Sequence, residues 1–569
     1  MVVSAHPLAS ETGLHILKKG GNAVDAAVST TLAISVVEPF SAGIGGGGFL
    51  LLRLGRTGEV KALDFRERAP LKATRNLYLD AQGKVRPNAS TSGYLAVAVP
   101  GTVAGLYEVH RRYGKLAWKE VVAPSIRLAR DGFSVSRRLS EAIARQTTLR
   151  QNPAAQQIFA PNGNPLEPGG ILIQKDLAQT LQEIAQNPQS FYTGKIGAAI
   201  ARDMAANGGL ISLEDLKRYR PIWRDPVCGP FRVYQVCSMP PPSSGGILLL
   251  QMLNMIADTD LKAMGWHHPD ALHLLVEAMK MAYADRATYL GDPDFTNVPV
   301  QALISPTYAR QRRQEIDWQK ARPSSQVKPG NPAQLQNPLL PIGLSGQHPS
   351  GFQLAIRPST SSPLPNFASG VFPIRESPET SHLSVVDQEG NAVSLTFTVN
   401  LGFGAGVVVP GAGIVLNNEM DDFAIAPDVP NAFGLVGGEA NAIAPGKTPL
   451  SSMTPTIVTE NGRLRVVVGA PGGSTIITTV LQILLNVLVY EMDAKPAIAA
   501  PRLHHQWFPD QLRMERWGFD YLTLAELRRR GHELSENALW GNAQAIVHTS
   551  NGWLEGATDP RGEGAAYGF

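Results

Sequence analysis

The sequence predicts a mixed α and β protein, and three observations carry that expectation. The first half alternates helical and turn-rich segments, and residues 23–37 are apolar enough to form a buried helix. A proline-rich stretch then runs from 322 to 379. Beyond it the pattern changes at once to alternation with period two, the mark of strands.

Composition narrows the function classes. Of 569 residues, 43% are hydrophobic and 17% charged. An average globular protein carries roughly 25% charged residues, so core material is ample and global disorder is excluded. The 51 Lys+Arg against 48 Asp+Glu leave +3, which gives no reason to expect a nucleic-acid surface. The two cysteines, Cys228 and Cys237, exclude a disulfide framework and a Cys-based zinc site. They could meet across a hairpin, but two buried free thiols are the expected state. Met1-Val2-Val3-Ser4-Ala5-His6 has neither the basic nor the apolar part of an export leader. The compartment is therefore expected to be periplasmic or extracellular if a leader was removed, and cytoplasmic otherwise. The longest apolar stretches, 23–37 and 476–490, fall short of the roughly 18–20 residues of a membrane span and read as buried helices.

A first helix closes at Gly20-Gly21, and Asn22 is placed to cap the apolar helix that follows. The glycine run 43–48 leads into a short strand at 50–54 and reads as close packing, since it lacks the context of a nucleotide loop. Further helices are expected at 101–112, at 271–290 and after Gly473. The 58 residues of 322–379 hold eleven prolines. Such a stretch is a lid, a linker or a processing region. After it, 381–387 and 392–399 form a hairpin around 388–390, with Gly390 left-handed. Partners then have numbers summing to 778, so Leu383 faces Leu395 and Val385 faces Val393, on an apolar face. The other face pairs Thr380 with Thr398, His382 with Thr396 and Ser384 with Ser394. It carries hydroxyls and an imidazole but no Lys, Glu or Arg, so it is expected to line a functional site rather than to face water.

Thr380-Ser381-His382-Leu383-Ser384-Val385-Val386-Asp387, followed by Gly390-Asn391-Ala392, resembles the maturation site of the γ-glutamyltransferases. The resemblance extends along nearly the whole chain. It includes Gly20-Gly21-Asn22-Ala23-Val24-Asp25, Arg66-Glu67, Pro240-Pro241-Pro242-Ser243-Ser244-Gly245-Gly246, Asn417-Asn418-Glu419-Met420-Asp421-Asp422, Pro449-Leu450-Ser451-Ser452 and Pro471-Gly472-Gly473-Ser474. It implies an N-terminal-nucleophile hydrolase with a four-layer αββα sandwich. The precursor would cut itself between Glu379 and Thr380 into pieces 1–379 and 380–569. The freed Thr380 would be nucleophile and, through its α-amine of ordinary pKa ~7.7–8.0, its own base.

By the same resemblance Thr398 hydrogen-bonds the nucleophile and Asn400 contacts substrate. Arg66, with Ser451 and Ser452, binds the donor's α-carboxylate, Glu419 and Asp422 take its α-ammonium, and Gly472-Gly473 form the oxyanion site. A guanidinium fork suits a carboxylate, and N–H groups at a helix start suit an oxyanion. Each motif has a plainer alternative: a structural Thr–Thr pair, a surface ion-pair run at 66–68, a turn at Asp421-Asp422, a helix cap at Ser451-Ser452. His504-His505 point to opposite sides of a strand, so no metal is expected, and no cofactor. Residue 381 is serine where a second threonine is usual. Phe433, in the lid-like stretch 427–438, replaces a tyrosine that hydrogen-bonds across the pocket in many relatives.

The reaction so implied moves the γ-glutamyl group of glutathione-like amides onto threonine, then to water, amino acids or peptides. The rivals are a glutaryl or cephalosporin acylase on the same scaffold, and an unprocessed binding relative.

Overall fold

The computed structural model describes residues 1–335, 379–427 and 429–569; most of the proline-rich stretch, 336–378, lies outside them. Two antiparallel sheets stack face to face, and helices cover the outer face of each. The first sheet has the strand order Ala565–Tyr567, Val2–Ser4, Ser381–Val386, Ala392–Thr398, Gly47–Arg53, Val60–Phe65, Ile222–Arg224. The hairpin that follows the proline-rich stretch is therefore inserted between strands that precede it, Val2–Ser4 on one side and Gly47–Arg53 on the other. The second has the order Leu554–Thr558, Gln544–His548, Arg463–Gly469, Thr456–Glu460, Tyr234–Ser238, Val227–Phe231.

The hairpin has the expected register, with Leu383 opposite Leu395 and Val385 opposite Val393, and Gly390 at φ 77° turns the loop. Its apolar face packs with Leu50, Leu52 and Phe65 against the helices Ala23–Val37 and Thr102–Tyr113. Ala23–Val37 is buried at every position, which explains its lack of a polar face. Asn22 caps it, accepting from the N–H groups of Val24 and Asp25 at 3.0 Å each. Across the second sheet, Val458, Val466 and Val468 pack on the helices Gly245–Ile256, Pro269–Tyr289 and Ile476–Leu488.

The polar face of the hairpin requires a correction. Over most of its length it lines no site but meets the second sheet. The ring nitrogens of His382 bond Thr396 Oγ1 at 2.8 Å and Ser384 Oγ at 3.1 Å. Ser394 Oγ donates to the Val468 carbonyl at 3.0 Å. Hydroxyls and an imidazole can satisfy one another and the facing backbone in a dry interface, whereas Lys or Glu could not be buried so cheaply. Only the Thr380–Thr398 end opens into a pocket.

The expectation for the cysteines is also corrected. Cys228 and Cys237 lie opposite each other on paired strands, with Cα atoms 4.1 Å apart, and form a disulfide. The period-two register, not the residue spacing, brought them together.

The glycine run is close packing, as expected. A Cβ at Gly46 would lie 1.8 Å from the Thr398 carbonyl oxygen, and one at Gly45 would lie 2.1 Å from that of Val415. The strand carrying Thr398 can therefore be approached this closely only by backbone.

Candidate active site

Thr380 and Thr398 face each other at the open end of the hairpin, with Oγ1 atoms 3.0 Å apart. The Asn400 N–H donates to Thr398 Oγ1 at 2.8 Å. With that acceptor position filled, the Thr398 proton is free to point at Thr380 Oγ1. Thr380 has φ 113°. For a β-branched residue that is a strained conformation, costing about 1–3 kcal/mol. Asn400 is also left-handed, at φ 78°, which asparagine tolerates, and its Nδ2 donates to the Asn418 carbonyl at 3.0 Å.

The pocket beyond the two threonines is lined by Arg66, Asn400, Glu419, Asp422, Phe433, Ser451, Ser452 and Gly473, among others. Arg66 follows the strand Val60–Phe65 and is almost wholly buried, so it is no surface ion-pair run. Its Nη1 lies 2.5 Å from Glu419 Oε1 and its Nη2 2.5 Å from Asp422 Oδ2. Burial opposes its charge, but the two carboxylates outweigh burial and hold the guanidinium above its ordinary pKa. The residues singled out for opposite substrate charges thus pair with each other. Asn417 sets Glu419 in place: its Oδ1 accepts from the N–H groups of Glu419 and Ala98 at 3.0 Å each.

Glu67, beside Arg66, was noted in the sequence only as part of a motif. It is fully buried beside Glu419, and burial pushes it up to about 7. Burial and the neighbouring Glu67 likewise push Glu419 well above the carboxylate range.

Ser451 and Ser452 are not a helix cap. The Ser451 carbonyl accepts from Ser244 Oγ at 2.7 Å, which ties the stretch to the Pro240–Gly246 motif. Ser452 Oγ is buried with no partner among the described residues and belongs to the pocket wall. Gly472 and Gly473 adopt φ 129° and 53° just before the helix Ile476–Leu488. No hydrogen bond among the described residues takes up their N–H groups. The Tyr283 hydroxyl anchors this turn through the Ser474 carbonyl at 2.6 Å.

Phe433 covers Gly473 so closely that a Cβ there would lie 2.3 Å from the ring. The missing tyrosine bond does not leave the lid open. Asn431 Nδ2 donates to Asp422 Oδ1 at 3.0 Å, the Ala432 N–H to Asp421 Oδ2 at 2.9 Å, and Gln506 Nε2 to the Phe433 carbonyl at 3.1 Å. The local sequence did not show that Asn431, Asp421 and Gln506 hold the lid, because the groups they bond are distant in the chain or in space.

His504 and His505 have separate partners, Thr478 and Asp510. Among the described residues, His273, Glu277 and His532 form a cluster of metal-ligand types. There His273 Nδ1 is hydrogen-bonded to His532 Nε2 at 2.8 Å, and Lys280 pairs with Glu277.

The sequence model of the gamma-glutamyltranspeptidase family matches residues 9–569. The chain belongs to the γ-glutamyltranspeptidase family. Among γ-glutamyltranspeptidase relatives, the glutathione hydrolase proenzyme of Escherichia coli is 44% identical over 564 residues, 99% of this chain and 90% of that protein. The structure of a cephalosporin acylase from Bacillus halodurans superimposes with a TM-score of 0.82 at 29% identity, covering 99% and 94% of the two chains. The Helicobacter pylori gamma-glutamyltranspeptidase structure matches 57% of this chain and 94% of its own, with a TM-score of 0.56 and 45% identity. The γ-glutamyltranspeptidase fold is thus the four-layer sandwich described above. No helix among the described residues is long and apolar enough to cross a membrane.

Proposed function

We propose that this γ-glutamyltransferase matures by cutting the Glu379–Thr380 bond into pieces 1–379 and 380–569, and then cleaves the γ-glutamyl amide of glutathione and related donors. The observation that carries the proposal is the hydroxyl pair Thr380–Thr398 opening onto a buried Arg66 flanked by Glu419 and Asp422. Such a pocket offers both charges that a γ-glutamyl group requires.

In maturation, Thr380 Oγ1 attacks the Glu379 carbonyl carbon, and the C–N bond breaks as the new amine takes the hydroxyl proton. Water then hydrolyses the ester. The φ of 113° favours cutting, because that torsion involves the Glu379 carbonyl carbon and the strain ends with the bond. In turnover, the α-amine of Thr380 takes the proton from Oγ1, which attacks the donor's γ-carbonyl. Thr398 steadies the hydroxyl, and the N–H groups of Gly472 and Gly473 receive the oxyanion. The leaving amine departs with the proton from the α-amine, and water or an amine then accepts the acyl group. The α-carboxylate goes to Arg66, Ser451 and Ser452, and the α-ammonium to Glu419 and Asp422, with Asn400 in contact. Free space in the pocket is about 20 Å³, on the order of one water molecule. Donor entry therefore requires the lid to lift and the Arg66 ion pairs to open.

An acylase acting on glutaryl amides is the second reading, favoured by the acidic pair already being satisfied by Arg66. Denaturing electrophoresis of the purified protein tests maturation: scaled from 61.1 kDa, pieces of about 41 and 20 kDa are expected, the smaller beginning Thr-Ser-His-Leu. A stable, active, uncut chain overturns it. Turnover of γ-glutamyl against glutaryl anilide separates the two readings, and equal rates would leave the ammonium site without a role.

A further inference from the structure

We propose that Glu38 is a positioning residue for self-cleavage: its buried carboxylate grips Ser381 and so keeps the adjacent Thr380 in the strained conformation from which the chain cuts. The inference rests on the self-cleavage proposed above. Glu38 stands where a charge is poorly accommodated. Pro39 ends the helix Ala23–Val37, which leaves the carboxylate just past the negative end of that helix. Glu38 is almost wholly buried, and no Lys or Arg among the described residues forms an ion pair with it. Two hydroxyls serve it: Ser381 Oγ donates to Glu38 Oε2 at 3.1 Å, and Ser41 Oγ to the same oxygen at 3.2 Å. A carboxylate so placed costs stability. The one group it holds outside its own turn belongs to the residue after Thr380.

The turn that carries Glu38 fastens both ends of the hairpin. The Ser41 N–H donates to the Glu38 carbonyl at 2.9 Å and closes the turn, while the Ser41 carbonyl accepts from the Val399 N–H at 3.3 Å. One strand end is thus held through the Ser381 side chain, and the other through the backbone next to Thr398. The register shows why such a hold matters. Pairing of the two strands ends with Ser381 opposite Phe397, which leaves Thr380 outside the ladder. Its φ of 113° would relax if residue 381 could shift. A hydrogen bond to a charged group is worth about as much as such a torsion costs, so the Glu38–Ser381 bond is strong enough to keep it.

The covalent step is the one given above. Thr380 Oγ1 bonds to the Glu379 carbonyl carbon, the C–N bond breaks, and the hydroxyl proton goes to the new amine. Glu38 exchanges no proton in it. Its carboxylate acts through Ser381, by holding a torsion that is released only when the bond breaks. Without that hold the uncut chain rests at lower energy and has further to climb.

The test measures the rate of cutting of the full chain, made by cell-free synthesis, quenched at intervals and resolved by denaturing electrophoresis. Working well below the melting temperature of every variant, a change in stability alone leaves that rate untouched. Glu38→Gln and Ser381→Ala should each slow cutting about tenfold. The double variant should be no slower than the slower single one, because both changes remove the same bond. Ser381→Thr keeps the hydroxyl and should cut at close to the parent's rate. Single variants that cut as fast as the parent, or effects that multiply in the double variant, overturn the proposal. If Glu38→Gln does not fold, Ser381→Ala against Ser381→Thr still decides it, and equal rates overturn the proposal. A parent chain that stays uncut instead overturns the self-cleavage on which it rests.

Discussion

Asn431 and Asp422 are joined across the mouth of the pocket: Asn431 Nδ2 donates to Asp422 Oδ1 at 3.0 Å, while the other oxygen of Asp422 is held by Arg66. Lid and charge cluster are thus one network, and the lid closes without a tyrosine. Asn431→Ala should loosen the lid and let Asp422 turn. A lost hydrogen bond to a charged group is worth about 1.5 kcal/mol, roughly tenfold, and should show in donor KM more than in kcat. Steady-state kinetics on a γ-glutamyl anilide check this, and an unchanged KM would remove Asn431 from the latch.

Thr398 can be separated from a merely structural strand residue. Thr398→Ser keeps the hydroxyl and should keep much of the activity. Thr398→Val keeps shape and β-branching but removes the donor to Thr380 Oγ1. A loss of about 1–3 kcal/mol corresponds to roughly 5- to 150-fold in the acylation rate. Single-turnover acylation by matured variants of matched thermal stability decides it, and equal rates for Ser and Val would make Thr398 structural only.

The buried sheet interface should make the protein acid-sensitive. Burial lowers His382 from 6.5 to about 3, so the folded chain keeps it neutral. The unfolded chain takes up a proton below pH 6.5, so stability is lost as pH falls from about 6.5 towards 3, by about 1.4 kcal/mol per pH unit. Burial lowers His504 and His505 too, adding to the same slope. Melting temperatures of the parent and His382→Gln between pH 7 and 4 should show a shallower acid fall in the variant. Parallel curves would contradict this placement of His382.

The carboxyl pair acts with the opposite sign. Burial raises Glu67 from 4.5 to about 7, so the folded state holds a proton that the unfolded state has lost. Stability should therefore decline as pH rises from about 4.5 through 7. Glu67→Gln carries a permanent donor towards Glu419 and should flatten that decline. Chemical unfolding at pH 5 and 7.5 reads the difference directly, and an equal decline in both proteins would mean that Glu67 is ionised throughout.

Much of this was legible in the sequence, because it depends on short-range order. Period two and the turn at Gly390 were enough for the hairpin register and hence for Thr380 facing Thr398. Asn22, standing just before an apolar run, marked a helix start that the structure keeps. The glycine run announced a close backbone approach without saying to what.

Tertiary structure decided the rest, since it depends on what lies opposite each group. The polar face of the hairpin reads alike whether it lines a pocket or meets a second sheet; the facing strand Arg463–Gly469 settled it. Cys228 and Cys237 became a disulfide through strand pairing that their spacing alone did not dictate. Arg66, Glu419 and Asp422 were legible one by one as charges for a ligand. Only folding, by removing the water that would otherwise screen them, made them neutralise one another while the pocket is shut.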